Sequence, residues 1–274
     1  MRVALMQLNS RDDKSENIAT ITRLFAERIA GQSVDLIALP EYSTFLGGLR
    51  EVQWAAAEIF PDGEGYRALQ ELAKTYGVAL HTGSMIEREG DKYYNTSVIF
   101  GPDGAERARY RKIHLFDVET PGGHVFRESD VIDRGNAIVD FTHKGRKFGC
   151  SICYDMRFSE LYLRHMRNGC DVIMVPAAFN METGKDHWEA LLRARAIETQ
   201  SWVIAAGQVG FHREAAGERA CYGNSMVIDP WGTIVARASG KPGVILADID
   251  FDYARHIRTI LPSNTHHVLD QADA

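Results

Sequence analysis

Cysteine, long apolar runs and clustered positive charge are all scarce in this sequence. Four cysteines among 274 residues are too few for a disulfide framework, so we expect reduced thiols. The best apolar run, 172–179, is broken by Pro176 and falls short of the roughly 20 residues that a membrane span needs. Residues 1–7 run directly into a strand-like segment with no signal-peptide pattern. These absences predict a cytoplasmic protein that does not enter membranes.

Several functional classes lack their signals. The net charge is −6, from 31 basic and 37 acidic residues, and no run of Lys or Arg occurs, which argues against a nucleic-acid partner. A P-loop, a dinucleotide fingerprint, H-E-x-x-H and a G-x-S-x-G elbow are also missing. The ten histidines leave metal-assisted hydrolysis as an idea, but no carboxylate cluster accompanies His266 and His267.

The pattern along the chain is that of a layered α/β protein. Short apolar runs alternate with amphipathic stretches, and antiparallel hairpins interrupt them, which predicts a mixed sheet or two packed sheets. Without a linker or an internal repeat, we expect one domain over 1–274 with a C-terminal tail from about 262. The predicted helices are 66–76, 159–167, 186–199 and a first helix that Ser15 caps and whose apolar stripe ends at Ile29. The predicted strands are 3–7, 36–39, 78–85, 94–100, 105–114, 137–141, 147–153, 172–175, 202–206, 225–228, 233–237 and 244–249.

Cys153 is a candidate nucleophile because it lies where a buried strand reaches a turn before a helix. The helix N-terminus favours a thiolate, and turn N–H groups can donate to an oxyanion, so a lowered pKa and rapid alkylation are expected. The alternative is an unreactive core cysteine. Cys150 completes a C-x-x-C spacing, but thiols three apart on a strand point to opposite faces, and Cys170 and Cys221 are isolated.

Three charged residues are further candidates. Glu41 follows a buried strand, where apolar walls would raise its proton affinity and suit it as a general base. Lys112 lies on a predicted strand, and its ammonium can stabilise a tetrahedral oxyanion. Glu128 is a possible second carboxylate. Taken singly, each signal is weak, and an isolated glutamate such as Glu41 or Glu128 would more easily be an ordinary solvated loop charge.

Three segments, 39–42, 110–115 and 153–158, together resemble the signature segments of the nitrilase superfamily of carbon–nitrogen hydrolases, in the same order. The similarity extends from Val3 to about Asp250. It implies a four-layer α-β-β-α sandwich with two mixed sheets between helical layers. It also implies roles for five residues: Glu41 as base, Lys112 as oxyanion stabiliser, Cys153 as nucleophile, Glu128 as a support for Lys112 or substrate, and the Tyr154 N–H as an oxyanion donor.

The resemblance also implies what the enzyme binds. Its partners would be a small linear amide and water, with no metal or organic cofactor, in a homodimer or higher homo-oligomer formed through the helical layer near the nucleophile. His187 and Trp188 would either contact substrate or pack their helix on the sheet. The residues expected at the substrate are Tyr42, Phe116, Asp155, Arg157, Phe179 and His187.

The same resemblance favours one branch and leaves alternatives. Residues 187–200 and 117–119 are similar to the Nit branch, whose deaminated-glutathione amidases and ω-amidases cleave amides of small dicarboxylic or 2-oxo acids. An N-carbamoyl amino acid or amine amidohydrolase is the alternative, although Met156 replaces the first of two arginines common there. A catalytically inactive binding member is an alternative of another class, against which the intact Glu41, Lys112 and Cys153 weigh.

Overall fold

The computed structural model describes residues 1–48, 50–120, 123, 125–214 and 217–268, without the side chains of residues 50, 51 and 214. The α-helices are α1 (Lys14–Leu24), α2 (Arg50–Ala56), α3 (Glu64–Tyr76), α4 (Ser159–Arg167), α5 (Met181–Thr199) and α6 (Phe251–Ile260). The strands of the first half are β1 (Arg2–Gln7), β2 (Leu36–Ala38), β3 (Ala79–His81), β4 (Met85–Glu89), β5 (Lys92–Phe100), β6 (Glu106–Arg111), β7 (Asp117–Glu119) and β8 (Val125–Arg127). Those of the second half are β9 (Asp140–His143), β10 (Arg146–Cys150), β11 (Val172–Met174), β12 (Trp202–Ala205), β13 (Val209–Glu214), β14 (Gly217–Tyr222), β15 (Met226–Ile228), β16 (Ile234–Arg237) and β17 (Gly243–Asp248).

Two mixed sheets hold most of these strands. The first runs β17-β1-β2-β3-β5-β4, with β6 also paired to β5, and the second runs β16-β15-β12-β11-β10-β9. The central strands β1, β2 and β3 are parallel, as are β10, β11 and β12, whereas the outer pairs are antiparallel. The carboxyl ends of neighbouring parallel strands meet at one edge of a sheet. The loop after β2 therefore lies at this edge of the first sheet, and the loop after β10 lies at this edge of the second.

Side-chain alternation along the strands builds the layers. In β1, Val3 and Leu5 face the core shared with the second sheet, whereas Ala4 and Met6 pack on the side of α1 and α3. Helix α5 packs against β12 and β15 of the second sheet, and its Trp188 is fully buried. The order of layers is therefore helix, sheet, sheet, helix, which confirms the predicted α-β-β-α sandwich.

Several predicted elements differ from the observed ones. The strands predicted at 105–114, 137–141 and 147–153 are β6, β9 and β10, so Lys112 and Cys153 both lie just beyond a strand. The side chain of Asp13, not Ser15, caps α1 by accepting from the Glu16 N–H at 2.9 Å. Helix α5 begins five residues earlier than predicted because Asn180 caps it. The strand predicted at 78–85 is two strands, β3 and β4, separated at Gly83, which has a φ of +71°.

Other elements were not predicted at all. Helices α2 and α6 and the two-stranded ribbons β7–β8 and β13–β14 fall into this group. The ribbon strands β7 and β8 have three residues each and are largely exposed, so they show no apolar alternation. None of the described helices combines the length and the apolar character needed to span a membrane. The predicted tail from about 262 lies partly outside the described residues, from 269 onward.

Candidate active site

Glu41 lies just beyond the end of β2, on a turn held by the segment that separates β3 from β4. The N–H of Tyr42 donates to Ser84 Oγ at 3.0 Å, and the N–H of Ser43 donates to the Ser84 carbonyl at 2.9 Å. Gly83 lets the segments approach, because a Cβ there would lie 1.8 Å from the Pro40 carbonyl oxygen. The Glu41 side chain is only 2% exposed, so its turn delivers a carboxylate into the interior.

Lys112 immediately follows β6. Its N–H donates to the Asn95 carbonyl at 2.9 Å, and its carbonyl accepts from the Gly135 N–H at 2.7 Å. The side chain is 2% exposed, with Nζ 3.0 Å from Glu41 Oε1 and 2.8 Å from Glu128 Oε2. The ammonium is therefore buried between two carboxylates, 71 and 16 residues away along the chain.

Cys153 lies at the start of a 3-10 turn after β10. Its φ is +48°, an unusual conformation for a non-glycine residue, and its N–H donates to the Pro176 carbonyl at 2.8 Å. Asp155 stabilises this turn by accepting from the Ile152 N–H at 2.9 Å and from the Tyr110 hydroxyl at 2.7 Å. Since Tyr110 is two residues before Lys112, Asp155 links the segments that carry the thiol and the ammonium.

The ionisation of the site differs from the sequence-based expectation. Burial and the neighbouring Glu41 carboxylate raise the pKa of the Cys153 thiol well above its usual range, against the opposing effect of Lys112. Burial alone would raise the pKa of Glu41, but the charge of Lys112 and hydrogen bonds from the Ala178 N–H and Cys153 lower it. The predicted low-pKa thiol and high-pKa carboxyl are both wrong: the resting pair is a thiol hydrogen-bonded to a carboxylate.

Asn95 and Tyr42 complete the polar network. Asn95 Nδ2 donates to Glu41 Oε1 at 2.9 Å and to Glu128 Oε1 at 3.2 Å. The Tyr42 hydroxyl donates to Glu128 Oε1 at 3.0 Å. Although burial would lower the pKa of Lys112, the charges of Glu128 and Glu41 raise it well above its usual range. The Lys112 ammonium and the Glu41 carboxylate thus stay ionised. Asn95 falls within the family similarity, but no sequence signal assigned it this bridging position.

A cavity of about 260 Å³ opens over these side chains. Its lining contains Glu41, Lys112 and Cys153, together with four residues predicted near the site: Tyr42, Phe116, Glu128 and Phe179. Tyr154 lines it as well, and the backbone N–H of Tyr154 has no acceptor among the described residues. Sequence reasoning missed several of its wall residues, among them Trp54, Phe126, Asn180, Thr183 and Arg219.

Three predicted substrate contacts do not line the cavity. Asp155 is fully buried behind Cys153, where its carboxylate is occupied by structural donors, so the prediction of substrate contact is corrected. His187 is exposed on α5, next to Arg157, while Trp188 packs in the core. Arg157 stands beside the wall, with its guanidinium carbon 5.3 Å from the Phe179 ring centroid.

One cluster among the described residues has the composition of a metal site. Ligand atoms of Asp140, His165 and Cys170 lie within 4.8 Å of one another. His165 Nδ1 and Cys170 Sγ are both hydrogen-bonded to Asp140 Oδ1, at 2.6 and 3.2 Å, and His165 Nε2 donates to the Cys150 carbonyl at 2.9 Å. The three side chains satisfy one another and serve as a structural cross-link between α4 and the second sheet.

Comparisons with known proteins agree with this architecture. A family model described as carbon-nitrogen hydrolase matches residues 2–259. The deaminated glutathione amidase of Synechocystis is 40% identical over 270 residues, 97% of each chain, and omega-amidase NIT2 of Danio rerio is 38% identical over 266 residues, 95% of this chain and 92% of that one. The crystal structure of Saccharomyces cerevisiae Nit3, a member of branch 10 of the nitrilase superfamily, matches with a TM-score of 0.84 at 31% identity, covering 100% of this chain and 97% of that one.

Proposed function

The chain belongs to the carbon–nitrogen hydrolase family and is an enzyme that hydrolyses amides, and from that premise we propose that Cys153 is its nucleophile and that its substrates are terminal amides of small dicarboxylic or 2-oxo acids. One observation carries the proposed mechanism. Glu41 accepts hydrogen bonds from both Cys153 and Lys112 at the wall of the cavity, so a base, a nucleophile and a cation converge on one point.

The first half of the reaction forms a thioester. Glu41 takes the Cys153 proton as the sulfur attacks the amide carbonyl, so a thiolate need not accumulate beforehand. The ammonium of Lys112 and the N–H of Tyr154 stabilise the tetrahedral oxyanion. When the carbon–nitrogen bond breaks, the nitrogen receives the proton held by Glu41, and the acyl group remains on sulfur.

The second half restores the enzyme. Glu41, again a carboxylate, removes a proton from water as the water oxygen attacks the thioester carbonyl. The carbon–sulfur bond then breaks, the acid product forms, and the proton passes from Glu41 to the Cys153 sulfur. The low pKa of Glu41 supports its return to the charged form between the two halves.

An anionic acyl group fits the surroundings of the nucleophile. The substrate class is proposed from the relatives named deaminated glutathione amidase and omega-amidase. Arg157 supports it, because its guanidinium stands 5.8 Å from the Tyr154 ring and 5.3 Å from the Phe179 ring, two walls of the cavity beside Cys153. We propose that this guanidinium, which stands at the margin of the cavity and not in its lining, holds the substrate carboxylate in a charge-assisted hydrogen bond.

A substrate panel tests this proposal. Purified enzyme is assayed for acid release from 2-oxoglutaramate, succinamate, deaminated glutathione, a neutral aliphatic amide and an N-carbamoyl amino acid. We expect the three anionic amides to be hydrolysed with kcat/KM at least about tenfold above the neutral amide, the effect of one charge-assisted contact. Preference for the N-carbamoyl compound would favour the carbamoylase alternative, and equal rates on neutral amides would contradict the role of Arg157.

Glu128 is proposed to hold Lys112 in place rather than to exchange protons with the substrate. Glu128→Gln keeps the side-chain shape but replaces a charged partner of Lys112 with a neutral one, an interaction of about 1.5–3 kcal/mol. We expect kcat to fall by roughly tenfold to a hundredfold. Glu89→Gln is the matched control, because Glu89 is an exposed partner of Arg111 outside the cavity. Full activity of Glu128→Gln would remove Glu128 from the proposed machinery.

The assembly and location of the protein remain predictions. We propose a homodimer formed through the helical layer that contains α4 and α5, in a cytoplasmic protein. Light scattering on the purified chain should give twice the chain mass, and a monomer mass would contradict the dimer. Cell fractionation with an antibody to the chain tests the location.

A further inference from the structure

The carboxylate of Asp155 is fully buried behind the proposed nucleophile and is surrounded by hydrogen-bond donors. Oδ2 accepts from the Tyr110 hydroxyl at 2.7 Å and from the Ile152 N–H at 2.9 Å. Oδ1 accepts from the His114 N–H at 3.0 Å and from His114 Nδ1 at 2.7 Å, because a carboxylate can only accept. These donors fill the roughly four lone-pair sites of the carboxylate. Asp155 therefore acts on the protein and not on a substrate.

Two reciprocal hydrogen bonds between Ile152 and Asp155 close the turn that contains Cys153 and Tyr154. The Ile152 N–H donates to the Asp155 side chain, and the Asp155 N–H donates to the Ile152 carbonyl at 3.1 Å. Cys153 has a φ of +48°, a conformation that persists only where the surroundings support it. The peptide group that joins Cys153 to Tyr154 lies inside this turn. Asp155 thereby fixes the direction of the Tyr154 N–H, one of the two proposed oxyanion donors.

The same carboxylate anchors the segment that carries the other donor, the Lys112 ammonium. Tyr110 and His114 lie two residues before and two residues after Lys112, and both donate to Asp155. Burial and the charge of Asp155 raise the pKa of Tyr110 well above its usual range, so its hydroxyl keeps the proton that it donates. The His114 ring is stacked on Phe158, with 3.8 Å between the centroids and 7° between the planes. The backbone of Lys112 is thus anchored on both sides.

The two oxyanion donors come from different sheets. Lys112 follows β6 of the first sheet, and Tyr154 follows the end of β10 of the second. A small shift of one sheet against the other would change the distance between the donors, whereas an oxyanion is stabilised only by donors that are already in place. Asp155 is bound to both segments and opposes such a shift.

We propose that Asp155 is a positioning residue for amide hydrolysis, and that its carboxylate fixes the Lys112 ammonium and the Tyr154 N–H relative to each other so that both meet one oxyanion. This inference rests on the proposed function, which assigns these two groups to the oxyanion. It predicts that Asp155 contributes to the rate of the chemical step and hardly at all to substrate binding.

Asp155→Asn tests this role most directly. The amide keeps the shape of the side chain but replaces one oxygen with an NH₂ group, so the donors on that side face another donor. We expect kcat for glutaramate, an anionic primary amide, to fall by about 10²-fold, the effect of misplacing catalytic groups by roughly 1 Å, while KM changes less than about threefold. Asp140→Asn is the matched control, because Asp140 Oδ1 is likewise bonded to a histidine, at 2.6 Å from His165 Nδ1, and lies outside the cavity. It should keep kcat within about threefold.

Tyr110→Phe makes a smaller change and decides the question alone if Asp155→Asn does not fold. It removes one hydroxyl donor and leaves the other donors to Asp155 in place, so we expect kcat to fall by about tenfold. Tyr66→Phe is its control, because Tyr66 is also buried and its hydroxyl donates to a carboxylate, Glu106 Oε2, at 2.6 Å. The control should lose stability similarly and keep kcat within about threefold.

Two further readouts separate positioning from general damage to the site. Glutarate semialdehyde inhibits by forming a hemithioacetal with Cys153, which places an oxygen where the tetrahedral oxyanion forms, so its Ki should rise in parallel with the fall in kcat. Alkylation of Cys153 by iodoacetamide forms no oxyanion. Its rate should therefore change less than about threefold in Asp155→Asn and Tyr110→Phe.

The outcomes distinguish this inference from the proposed function. Unchanged kcat in Tyr110→Phe, losses of kcat equal to those of the two controls, or a parallel loss of alkylation would each overturn the positioning role. Hydrolysis by the unmodified enzyme with normal kcat in both variants would overturn the positioning role and leave the proposed function standing. If the unmodified enzyme showed no Cys153-dependent hydrolysis of any amide, both would be overturned.

Discussion

Replacing Cys153 with alanine is expected to abolish amide hydrolysis, with kcat falling by about 10⁴-fold or more. The thioester cannot form without the sulfur, and the remaining cation and N–H donors can act only on a direct attack by water. The side chain is 8% exposed and small, so the melting temperature should change by only a few degrees. Steady-state assays of acid release, combined with thermal melts, measure both quantities.

Cys150→Ala is the matched control for this variant. Cys150 is fully buried at the end of β10, only three residues from Cys153, and does not line the cavity. We expect it to lose some stability, about 1 kcal/mol for a truncated core side chain, and to keep activity within a few-fold. If Cys150→Ala and Cys153→Ala lost activity equally, the loss would come from structural damage at the end of β10 and not from the missing nucleophile.

Glu41→Gln is expected to have the second-largest effect, a fall in kcat of about 10²- to 10⁴-fold, the range for loss of a general base. The same substitution should lower the pKa of the Cys153 thiol. In the unmodified enzyme the negative charge of Glu41 raises the pKa of the Cys153 thiol, and the positive charge of Lys112 lowers it. The substitution removes the first effect and keeps the second. The enzyme would therefore gain thiolate and lose turnover.

The shift is measured by a pH titration of the thiolate absorbance near 240 nm in Glu41→Gln. The same titration of the Glu41→Gln/Cys153→Ala double variant is subtracted, so that only the signal of Cys153 remains. The unmodified enzyme should show no Cys153 thiolate at neutral pH, and the single variant should show it at a lower pH than the unmodified enzyme. An unchanged or raised thiol pKa in Glu41→Gln would contradict the assignment of Glu41 as the group that holds the proton.

The parts of the molecule that depend on the pattern of apolar residues among sequence neighbours were predictable. Val3, Leu5 and their neighbours in β1 alternate between two buried faces, and such alternation with intervening amphipathic helices indicates a layered fold. Glu41 and Cys153 each follow a buried strand, and strand ends of α/β sheets are where functional side chains gather. The order of the three motifs then selected one family from the possible α/β proteins.

The parts that depend on distant neighbours were not predictable. The pKa direction of Glu41 reverses because Lys112, 71 residues away, lies within hydrogen-bonding distance of its carboxylate. Asp155 has the sequence position of a substrate contact, yet its carboxylate turns into the protein toward Tyr110 and His114. Arg219 reaches the cavity only through a short, partly exposed ribbon that carries no apolar signal.

A shared covalent intermediate is the central claim, and partitioning with hydroxylamine tests it most directly. Glutaramate and its N-methyl amide, which share the glutaryl acyl group, are hydrolysed in the presence of hydroxylamine, and the ratio of glutaryl hydroxamate to glutarate is measured for each. The account predicts one ratio for both substrates, because both pass through the same glutaryl thioester on Cys153, and no product from Cys153→Ala. Different ratios for the two leaving groups would contradict a common thioester.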